Sequence, residues 1–579
     1  MGDEHAPGQL RPGARLRPGA RVAIIGGGTV GLLACKQCLD HGYCPTVFEK
    51  RWHVGGVWRQ DDSGHSAAYD SLYTNSSRTM MQISDFPFPF DTKLGFPTRQ
   101  EICRYYERYC EHYKLWQHIN LGAEVVHTQV GTLHPDGSAK TWRVRVRREQ
   151  PVVPVLEAAS NGVFDLDSAP MELPEQKQQA VDDEHEYDAL FACSGQFWRP
   201  SWPDMPRGWE RSFHGRVSHS QAYRNALSLR GRRLVIIGVG NSALDIALEA
   251  ARGGARSVTI VCRGGTTIIP VADDSGNPLD AVLLTRFFQT LLPSTLRRIW
   301  FWLLTRGTNK DFQAAGLPPP PGGLGSAAAA AAQFSNLKEH RTFRALLKSG
   351  RIKIRCGRLV QLIGRQAIFD TVAGSAALSV KCDDVILCTG YRLAFPFMER
   401  NLVQSFHRQE LSEDGKALQW LELYKYVMHP THPTFCVFAI VNSLGNESLV
   451  GELQARWALT MLSGSGAGPC PSRESMARSV AERSAKVRRQ TPKFAGFVNY
   501  MKYCDELAGD IGCMPSALSL GSLLSPSKWR LLWALIFNPV VQAQYRLDGP
   551  YAWSGAEKFL TQKLTSTVAR LVTPPPSRL

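Results

Sequence analysis

The chain has 579 residues, which exceeds one ordinary domain and predicts about two to four. Hydrophobic residues make up 44% and charged residues 20%, so a disordered or fibrous protein is excluded. The formal net charge of +16 favours anionic partners. No zinc-finger, RNA-binding aromatic or basic heptad motif accompanies that charge, so acidic lipids or phosphorylated ligands are favoured over nucleic acid.

The first twenty residues are rich in Gly, Pro and Arg and contain no apolar run, which predicts a disordered lead rather than a secretory signal. Fourteen cysteines without a regular framework indicate free thiols and a reducing compartment. Cys35 and Cys38 form a CxxC pair on the first predicted helix. Packing of that helix against a sheet is favoured over a redox role for the pair.

A βαβ unit follows the lead. The apolar run RVAII at residues 21–25 predicts a buried parallel strand, and a helical stretch and the strand PTVFE come next. Between the first strand and the helix, Gly26, Gly28 and Gly31 form GxGxxG. These glycines allow a tight turn, close approach of a pyrophosphate and close helix packing. Glu49 ends the second strand, where its carboxylate can accept hydrogen bonds from two ribose hydroxyls.

A second unit of the same kind begins at residue 233 with the strand RLVII, followed by Gly238, Gly240 and Ala243. Its next strand, SVTIVCR, ends at Arg263, where the first unit carries an acid. A guanidinium there can bind a 2′-phosphate that a carboxylate would repel, so this unit is predicted to bind NADPH. Reduced nicotinamide must pass its hydride to an acceptor, which makes FAD the expected occupant of the first unit.

Four other stretches complete the expected organisation of the chain. Apolar runs lead into the turns CSG (193–195) and CTG (388–390), which are expected to lie beside a cofactor. Residues 149–186 are polar and predict a long surface excursion, and residues 316–332 are a low-complexity, flexible insertion.

Two apolar stretches are too broken or too short to span a bilayer, which needs about 20 apolar residues. They are residues 281–304, interrupted by arginines and a proline, and residues 529–537. Trp and Phe interleaved with Arg favour helices that lie on a membrane surface. A core helix or a homodimer face is the alternative.

The segment FHGRVSHSQAY reads F-x-G-x-x-x-H-x-x-x-Y and resembles the identifying motif of the flavin-containing monooxygenases, with Phe213, Gly215, His219 and Tyr223 in place. Further segments across most of the chain resemble the animal-type, N- and S-oxygenating members of that family. They are GGVWR (55–59), YTNSSRTMMQISDFPFP (73–89), CTGY (388–391), ELQARWA (452–458) and QYRLDGPYAW (544–553).

The resemblance implies an α/β fold with two Rossmann-like dinucleotide-binding domains, the NADPH domain inserted in the FAD domain, and a helical C-terminal region. The expected division is a lead at 1–20, the FAD domain at 21–205 and 381–470, the NADPH domain at 206–380, whose apolar and low-complexity insertion covers 281–332, and the helical region at 471–579.

The resemblance also implies the residues of the cofactor sites. FAD would be lined by Gly26, Gly27, Gly28, Thr29, Val30, Gly31, Glu49, Val57, Trp58, Asn75 and Ser76. NADPH would be approached by Thr74, Asn75, Gly238, Gly240, Asn241, Ser242, Ala243, Leu244, Asp245 and Arg263. Asn75 is the expected catalytic residue, because its amide would lie at the reacting edge of the flavin.

The implied reaction is that of an NADPH- and O2-dependent monooxygenase. Its reduced FAD would form a C4a-hydroperoxide that oxygenates a soft nitrogen or sulfur atom of a small amine or sulfide. No metal and no protein nucleophile are required. His219 is expected to be structural rather than a general base.

Three rival functions remain open at this point. A Baeyer–Villiger monooxygenase usually carries Trp where this motif has Tyr223, a disulfide reductase would use Cys35 and Cys38, and an adaptor would keep the fold without catalysis. Residues 442–452 differ from the usual family sequence, so the substrate approach is expected to differ. The chain ends in LVTPPPSRL instead of an apolar tail, so peripheral attachment to the cytosolic face of the endoplasmic reticulum, or a cytoplasmic location, is expected.

Overall fold

The apolar runs RVAII and RLVII become inner strands of two parallel sheets. The computed structural model describes residues 15–60, 66–88, 95–148, 181–320, 334–371, 377–411, 417–441, 443, 445–467, 471–490, 498–518 and 526–563. Within these residues the strands are β1 (Arg21–Ile25), β2 (Cys44–Glu49), β3 (Ile119–Leu121), β4 (Ala123–Val130), β5 (Trp142–Arg148), β6 (Val181–Tyr187), β7 (Ala189–Ala192), β8 (Arg199–Pro200), β9 (Arg216–His219), β10 (Arg233–Ile237), β11 (Ser257–Cys262), β12 (Thr267–Pro270), β13 (Phe334–Leu337), β14 (Ile352–Cys356), β15 (Arg358–Ile363), β16 (Gln366–Asp370), β17 (Leu378–Lys381), β18 (Asp384–Leu387), β19 (Tyr391–Arg392), β20 (His407–Leu411), β21 (Ala417–Leu421) and β22 (Phe435–Val437).

Helices cover the sheets and form most of the C-terminal region. In the described residues they are α1 (Thr29–Asp40), α2 (Arg78–Met81), α3 (Arg99–His112), α4 (Trp209–Ser212), α5 (Asn241–Arg252), α6 (Asp280–Leu283), α7 (Ser294–Ala314), α8 (His340–Lys348), α9 (Arg400–Phe406), α10 (Glu447–Ser463), α11 (Arg473–Gln490), α12 (Tyr500–Ile511), α13 (Trp529–Phe537) and α14 (Ala556–Lys558). A 3-10 turn at Gly56–Trp58 and a π-turn at Phe287–Leu291 also matter for the site.

The first unit is a parallel sheet with the strand order β22-β7-β1-β2-β3. Ile24 pairs with Val47 on one side and with Phe191 on the other. Val22, Ala23 and Ile24 are fully buried, because both faces of such a sheet are covered and its inner strands must be apolar throughout. α1 packs on β1 and against α10. The βαβ unit predicted from RVAII and PTVFE is confirmed.

The second unit is a parallel sheet with the order β14-β11-β10-β18-β9. β18, the strand before the CTG turn, pairs with β10, just as β7, the strand before the CSG turn, pairs with β1. This sheet therefore extends to Leu387 and passes the boundary predicted at residue 380. β22 returns to the first sheet, so the second unit is inserted within the first, as the resemblance implies.

Part of the predicted surface excursion at residues 149–186 is a strand. β6 pairs antiparallel with β5, which pairs with β4. In β5 the buried residues Trp142, Val144 and Val146 alternate with arginines. Because successive side chains of a strand point to opposite faces, one face of β5 packs in the core and the other carries the arginines. The excursion is therefore shorter at its C-terminal end than predicted, and residues 149–180 lie outside the described part of the chain.

The end of the predicted N-terminal lead is packed. The backbone N–H of Leu16 donates to the carbonyl of Leu462 at 2.9 Å, and Ala20 is buried. Leu16 also packs against the apolar core of the first unit, which explains why the lead ends earlier than predicted. Residues 1–14 of the lead and residues 321–332 of the low-complexity insertion lie outside the described residues.

The described C-terminal region consists of helices and turns that pack on the first unit. α10 contacts both α1 and α12, and the Trp457 indole donates to Asp510 Oδ2 at 2.8 Å. Glu452 and Arg546 form a 2.8 Å ion pair, and each side chain is only 1% exposed. None of the helices in the described ranges is both long and apolar enough to cross a bilayer.

Candidate active site

The carboxyl ends of β1 and β10 open onto one cavity of about 2360 Å³. Pockets for drug-sized ligands measure about 300–1,000 Å³, so this cavity has room for more than one large ligand. The glycine turns after β1 and β10 and the turns after β7 and β18 line it. This edge is where open α/β sheets bind nucleotides.

The glycine turn after β1 leaves no room for side chains. Gly26 has a φ of 108°, and a Cβ there would lie 2.6 Å from the carbonyl oxygen of Cys193. A Cβ on Gly31 would overlap the carbonyl oxygen of Gly26. Gly28 precedes α1, whose first backbone N–H groups have no helical acceptor. The turn therefore offers an anion close approach to a helix N-terminus.

The carboxylate predicted to hold a ribose lies next to this turn. Glu49 is 5% exposed, and its Oε2 accepts a hydrogen bond from the Gly27 N–H at 2.7 Å. Its Oε1 accepts from the backbone N–H of Arg51 at 3.0 Å, a partner that the sequence pattern did not predict. Val57 and Trp58, on the 3-10 turn, line the same side of the cavity.

The TNSS segment contributes an amide group to the cavity, and the oxygen atom of that amide is buried. Thr74, Asn75 and Ser76 all line it, and the Thr74 hydroxyl donates to the Ser76 carbonyl at 2.6 Å. Asn75 Oδ1 is buried and has no hydrogen-bond partner among the described residues. The Ser77 N–H donates to Asp280 Oδ2 at 2.6 Å, which ties this segment of the first unit to α6.

The turn after β10 has the same geometry as the turn after β1. Gly238 has a φ of 114°, and a Cβ there would clash with the carbonyl oxygen of Cys388. Gly240 precedes α5. Asn241 Oδ1 accepts from the Asn336 N–H at 2.8 Å, which holds β13 beside the turn. A second anion cradle thus faces the same cavity as the first.

Two guanidinium groups follow neighbouring strands of the second sheet and line the cavity. Arg263 follows the last residue of β11, is exposed and lines the cavity. Arg358 also lines the cavity and follows β14, whose Cys356 pairs with Cys262 of β11. The sequence pattern missed Arg358. The signal for it was available, because the next parallel strand ends at the same edge of the sheet.

Comparison with known proteins identifies the family. The model of the FMO-like family, described as flavin-binding monooxygenase-like, matches residues 19–160 and 170–574. The chain belongs to this family. It is 32% identical over 560 residues to dimethylaniline monooxygenase [N-oxide-forming] 2 of Rattus norvegicus, covering 94% of this chain and 91% of the relative.

Solved structures of similar fold include an S-allyl-L-cysteine S-oxygenase from Allium sativum, with 21% identity, a TM-score of 0.55 and coverage of 85% of this chain and 88% of that one. A cyclohexanone monooxygenase with bound cyclohexanone matches at 14% identity and a TM-score of 0.55, covering 84% and 96%. At these identities the likeness shows the shared fold alone. Family membership makes the chain an FAD- and NADPH-dependent monooxygenase.

The first turn of α5 contains four successive residues that are predicted to approach NADPH in this flavin-binding monooxygenase. Ser242, Ala243 and Asp245 line the cavity as expected. The Leu244 side chain is fully buried in the apolar core of the second unit, so only the backbone of Leu244 can approach a ligand in the cavity. A helix turns about 100° per residue, so four successive residues cannot all face one ligand.

A buried polar cluster joins the two units of the monooxygenase. Tyr69, from the first unit, donates its hydroxyl to Asp245 on α5, and Lys338 Nζ lies 2.9 Å from the same carboxylate. Tyr223, the last residue of the family motif, donates to Glu249 at 2.6 Å. Neither Lys338 nor Glu249 was predicted from the sequence. The cluster fixes α5 against the segment that leads to Asn75.

His219 of the family motif is the last residue of β9 and contacts the CTG turn. Its Nε2 is 3.1 Å from the carbonyl oxygen of Gly390, and its Nδ1 accepts from the Gln221 N–H at 3.2 Å. Burial lowers the pKa of His219, so the imidazole is neutral at pH 7. Both ring nitrogens are thus engaged by backbone groups, which fits a structural residue rather than a general base.

Cys35 and Cys38 do not have the environment of a redox pair. Both are fully buried on α1, and both thiols are free. Burial raises the pKa of Cys35 to about 12, and burial also raises the pKa of Cys38 well above its ordinary value. Because the thiolate is the reactive form, these thiols are inert at neutral pH. The disulfide-reductase alternative therefore has no support at this site.

Two carboxyl groups that line the cavity were not predicted from the sequence. Burial raises the pKa of Glu447, at the start of α10, to about 7, and its Oε1 accepts from Gln196 Nε2 at 3.3 Å. Burial also raises the pKa of Asp280 to about 6. Glu447 lies within the stretch that departs from the usual family sequence. That departure was visible in the sequence, but the direction of the side chain was not.

Proposed function

We propose that this monooxygenase transfers one oxygen atom from O2 to a soft nitrogen or sulfur atom of a small molecule. The observation that carries the proposal is that two glycine cradles and the Asn75 segment face one cavity. Bound FAD supplies the oxygen-transfer chemistry and NADPH supplies the hydride. The chain's own residues bind the two cofactors, orient them and exclude water.

The proposed FAD cradle is the first unit. Its residues are Gly26, Gly27, Gly28, Thr29, Val30, Gly31, Glu49, Val57, Trp58, Asn75 and Ser76. The Glu49 carboxylate is held by the Gly27 N–H and would accept hydrogen bonds from the ribose hydroxyls. The proposed NADPH cradle consists of Thr74, Gly238, Gly240, Asn241, Ser242, Ala243, Asp245 and Arg263, to which we add Arg358. Two guanidinium groups can share the three phosphate oxygens.

Asn75 is the proposed catalytic residue. Its side-chain oxygen is buried without a described partner, and a buried amide oxygen left unpaired costs about 1–3 kcal/mol. A hydrogen-bonding group of a bound cofactor would satisfy it. The side chain would then hold the reacting edge in place and fill space that water would otherwise enter.

The test is Asn75→Ala, with methyl p-tolyl sulfide as the substrate. The wild-type protein should form about one sulfoxide per NADPH consumed, whereas the variant should release peroxide instead at a similar rate of NADPH consumption. Asn401→Ala is the control, because Asn401 is exposed on α9. Full coupling in Asn75→Ala would contradict the assigned role. Wild-type protein that oxidises cyclohexanone to its lactone but leaves the sulfide unchanged would favour the Baeyer–Villiger alternative.

We further propose that the protein contacts a membrane surface through α7 and α13. Leu296, Ile299, Trp529 and Trp533 are each more than half exposed. The π-turn that precedes α7 adjoins α13, since the rings of Phe287 and Phe537 are 5.1 Å apart. Arginines interrupt the apolar residues on both helices, and the net charge is +16. Anionic lipid is therefore favoured over a second copy of this basic chain.

A further inference from the structure

The carboxyl group of Glu447 reaches the cavity at the start of α10. Its Oε1 accepts a hydrogen bond from Gln196 Nε2 at 3.3 Å, and the side chain is half-buried. Its Oε2 has no hydrogen-bond partner among the described residues, yet it is accessible to solvent. This oxygen is therefore open to the cavity, where water can bring a proton to it.

The start of α10 lies beside the proposed FAD cradle. Asn446 Nδ2 donates to the carbonyl of Met80, which follows the TNSS segment. Gly451, one turn later on α10, packs so closely against α1 that a Cβ on it would lie 2.9 Å from Val30 Cγ2. The hydrogen bond to Oε1 comes from the residue after the CSG turn. The carboxyl group of Glu447 therefore faces the FAD half of the cavity.

No charged side chain among the described residues pairs with Glu447. Lys36 of α1 is paired with two aspartates instead, and Arg78 of α2 forms no ion pair with Glu447. The packed neighbours contribute Cys193 of the CSG turn and Tyr500 of α12, and burial raises the pKa of both, so both are neutral at pH 7. Burial alone raises the pKa of Glu447 to about 7. Its proton affinity is therefore sensitive to any charge that appears in the cavity.

Each turnover of an NADPH-dependent monooxygenase consumes one proton. NADPH gives up a hydride, one oxygen atom of O2 enters the substrate, and the other oxygen atom leaves as water. The hydride supplies one hydrogen of that water, and the other hydrogen must arrive as a proton. The hydride also adds negative charge to the cavity, and a like charge raises the pKa of a nearby carboxyl group.

We propose that Glu447 carries this proton, which it takes up when the bound flavin is reduced and releases to the oxygen atom that leaves as water. The inference rests on the proposed FAD cradle and adds a proton-transfer residue to it. On uptake, an O–H bond forms at Oε2 with a proton from solvent. On release, that bond breaks and its electron pair stays on the carboxylate, so Glu447 is neither oxidised nor reduced. Asp280 is less suited to this task, because its unpaired Oδ1 has no accessible surface.

The test measures proton uptake during anaerobic reduction of the purified flavoprotein by NADPH, with a pH indicator in weak buffer. At pH 8 the wild type should take up more protons per reduced flavin than Glu447→Gln, because Glu447 is ionised before reduction. At pH 6 that difference should shrink about fivefold or more, because Glu447 already holds its proton. Glu447→Asp keeps a carboxyl group and should restore most of the uptake.

Glu474→Gln is the matched control. Glu474 is exposed in the first turn of α11, just as Glu447 stands in the first turn of α10, and its substitution should leave the uptake unchanged. Glu447→Leu is a second neutral variant for the case that Glu447→Gln does not bind FAD, and it should lose the uptake as well.

Three results would overturn the inference. Equal uptake at pH 8 in the wild type and in a flavin-bound neutral variant would overturn it and leave the FAD cradle standing. If neither neutral variant binds FAD, Glu447 serves cofactor binding and does not carry the proton. A wild-type protein that binds no flavin would overturn the proposed cradle and this inference together.

Discussion

The guanidinium groups of Arg263 and Arg358 follow β11 and β14 and line the cavity at one edge of the second sheet. No carboxylate forms an ion pair with Arg263 among the described residues. A hydrogen bond to a charged group contributes about 1.5–3 kcal/mol, or roughly ten- to a hundredfold in affinity. The preference for NADPH over NADH is therefore expected to depend on these two side chains.

Arg263→Gln should raise the KM for NADPH about ten- to a hundredfold and leave the KM for NADH within twofold, because only NADPH carries the 2′-phosphate. Steady-state oxidation of both nucleotides measures the effect. Arg256→Gln removes the same charge just before the opposite end of β11 and should change neither KM. If the KM for NADH rises by the same factor as the KM for NADPH, Arg263 stabilises the fold and does not bind the 2′-phosphate.

A second residue gives the protein a pH-dependent stability. Burial, with a smaller contribution from His432, lowers the pKa of His429 to about 3. Its Nε2 is 2.8 Å from the Ser405 hydroxyl, and its Nδ1 accepts from the Thr431 N–H at 3.2 Å. In the unfolded chain the His429 imidazole binds a proton near pH 6.5, whereas in the folded chain it stays neutral at that pH. The free energy of unfolding therefore falls as the pH drops below 6.5.

Between pH 6.5 and pH 5 this residue should cost the folded state about 2 kcal/mol. Denaturant unfolding at a series of pH values measures the loss. His429→Asn, which keeps an acceptor near Thr431, should flatten the pH dependence by that amount. His53→Asn, at an exposed position, serves as the control. An identical slope in wild type and His429→Asn would contradict the account.

Among the structural elements, the glycine turns that pack against backbone carbonyls were the most predictable from the sequence. The turns after β1 and β10 need glycine because Cys193 and Cys388 carbonyls fill the space of a side chain. Their spacing is therefore visible in the sequence. β6 and the packed end of the lead were missed, because polar strands and single apolar anchors such as Leu16 leave no periodic signal.

Gly31→Ala should prevent FAD binding, because the new methyl group would overlap the Gly26 carbonyl oxygen and push α1 away from β1. The flavin-to-protein absorbance ratio of the purified variant measures the loss. Gly509→Ala is the matched control, since it lies in α12 with open space around it. That change should stabilise the protein by about 0.5–1 kcal/mol. A fully flavinated Gly31→Ala variant would refute the cradle geometry.

At the scale of the whole molecule, the sequence predicted two nucleotide-binding units and two further turns beside a cofactor, and the structure adds that all of them face one cavity. The sequence could not predict which inserted residues face the cavity. Asp280, Lys338 and Glu447 come from segments without a nucleotide-binding pattern, and only the tertiary fold brings them to the site. For Leu244 the family position was carried over without the helical rotation, which turns the Leu244 side chain into the apolar core of the second unit.

The exposed apolar face of α7 and α13 predicts binding to anionic vesicles. The double substitution Trp529→Ser/Trp533→Ser should weaken flotation with phosphatidylserine vesicles at least tenfold, since each buried aromatic contributes about 1.5–3 kcal/mol. Trp116→Ser, at an exposed tryptophan outside this face, should bind as the wild type does. If the wild-type protein does not float with the vesicles but forms a dimer, and if the double variant is a monomer, this face would instead bind a second copy of the chain.

The central claim is that the cradle beside Glu49 holds FAD and the cradle beside Arg263 holds NADPH, with both facing one cavity. Anaerobic mixing of the purified protein with NADPH or NADH, followed at the flavin absorption band, tests it most directly. The expected result is a yellow protein whose flavin is bleached by NADPH much faster than by NADH. A colourless protein that takes up no added FAD, or a flavin that NADPH fails to reduce, would contradict the account.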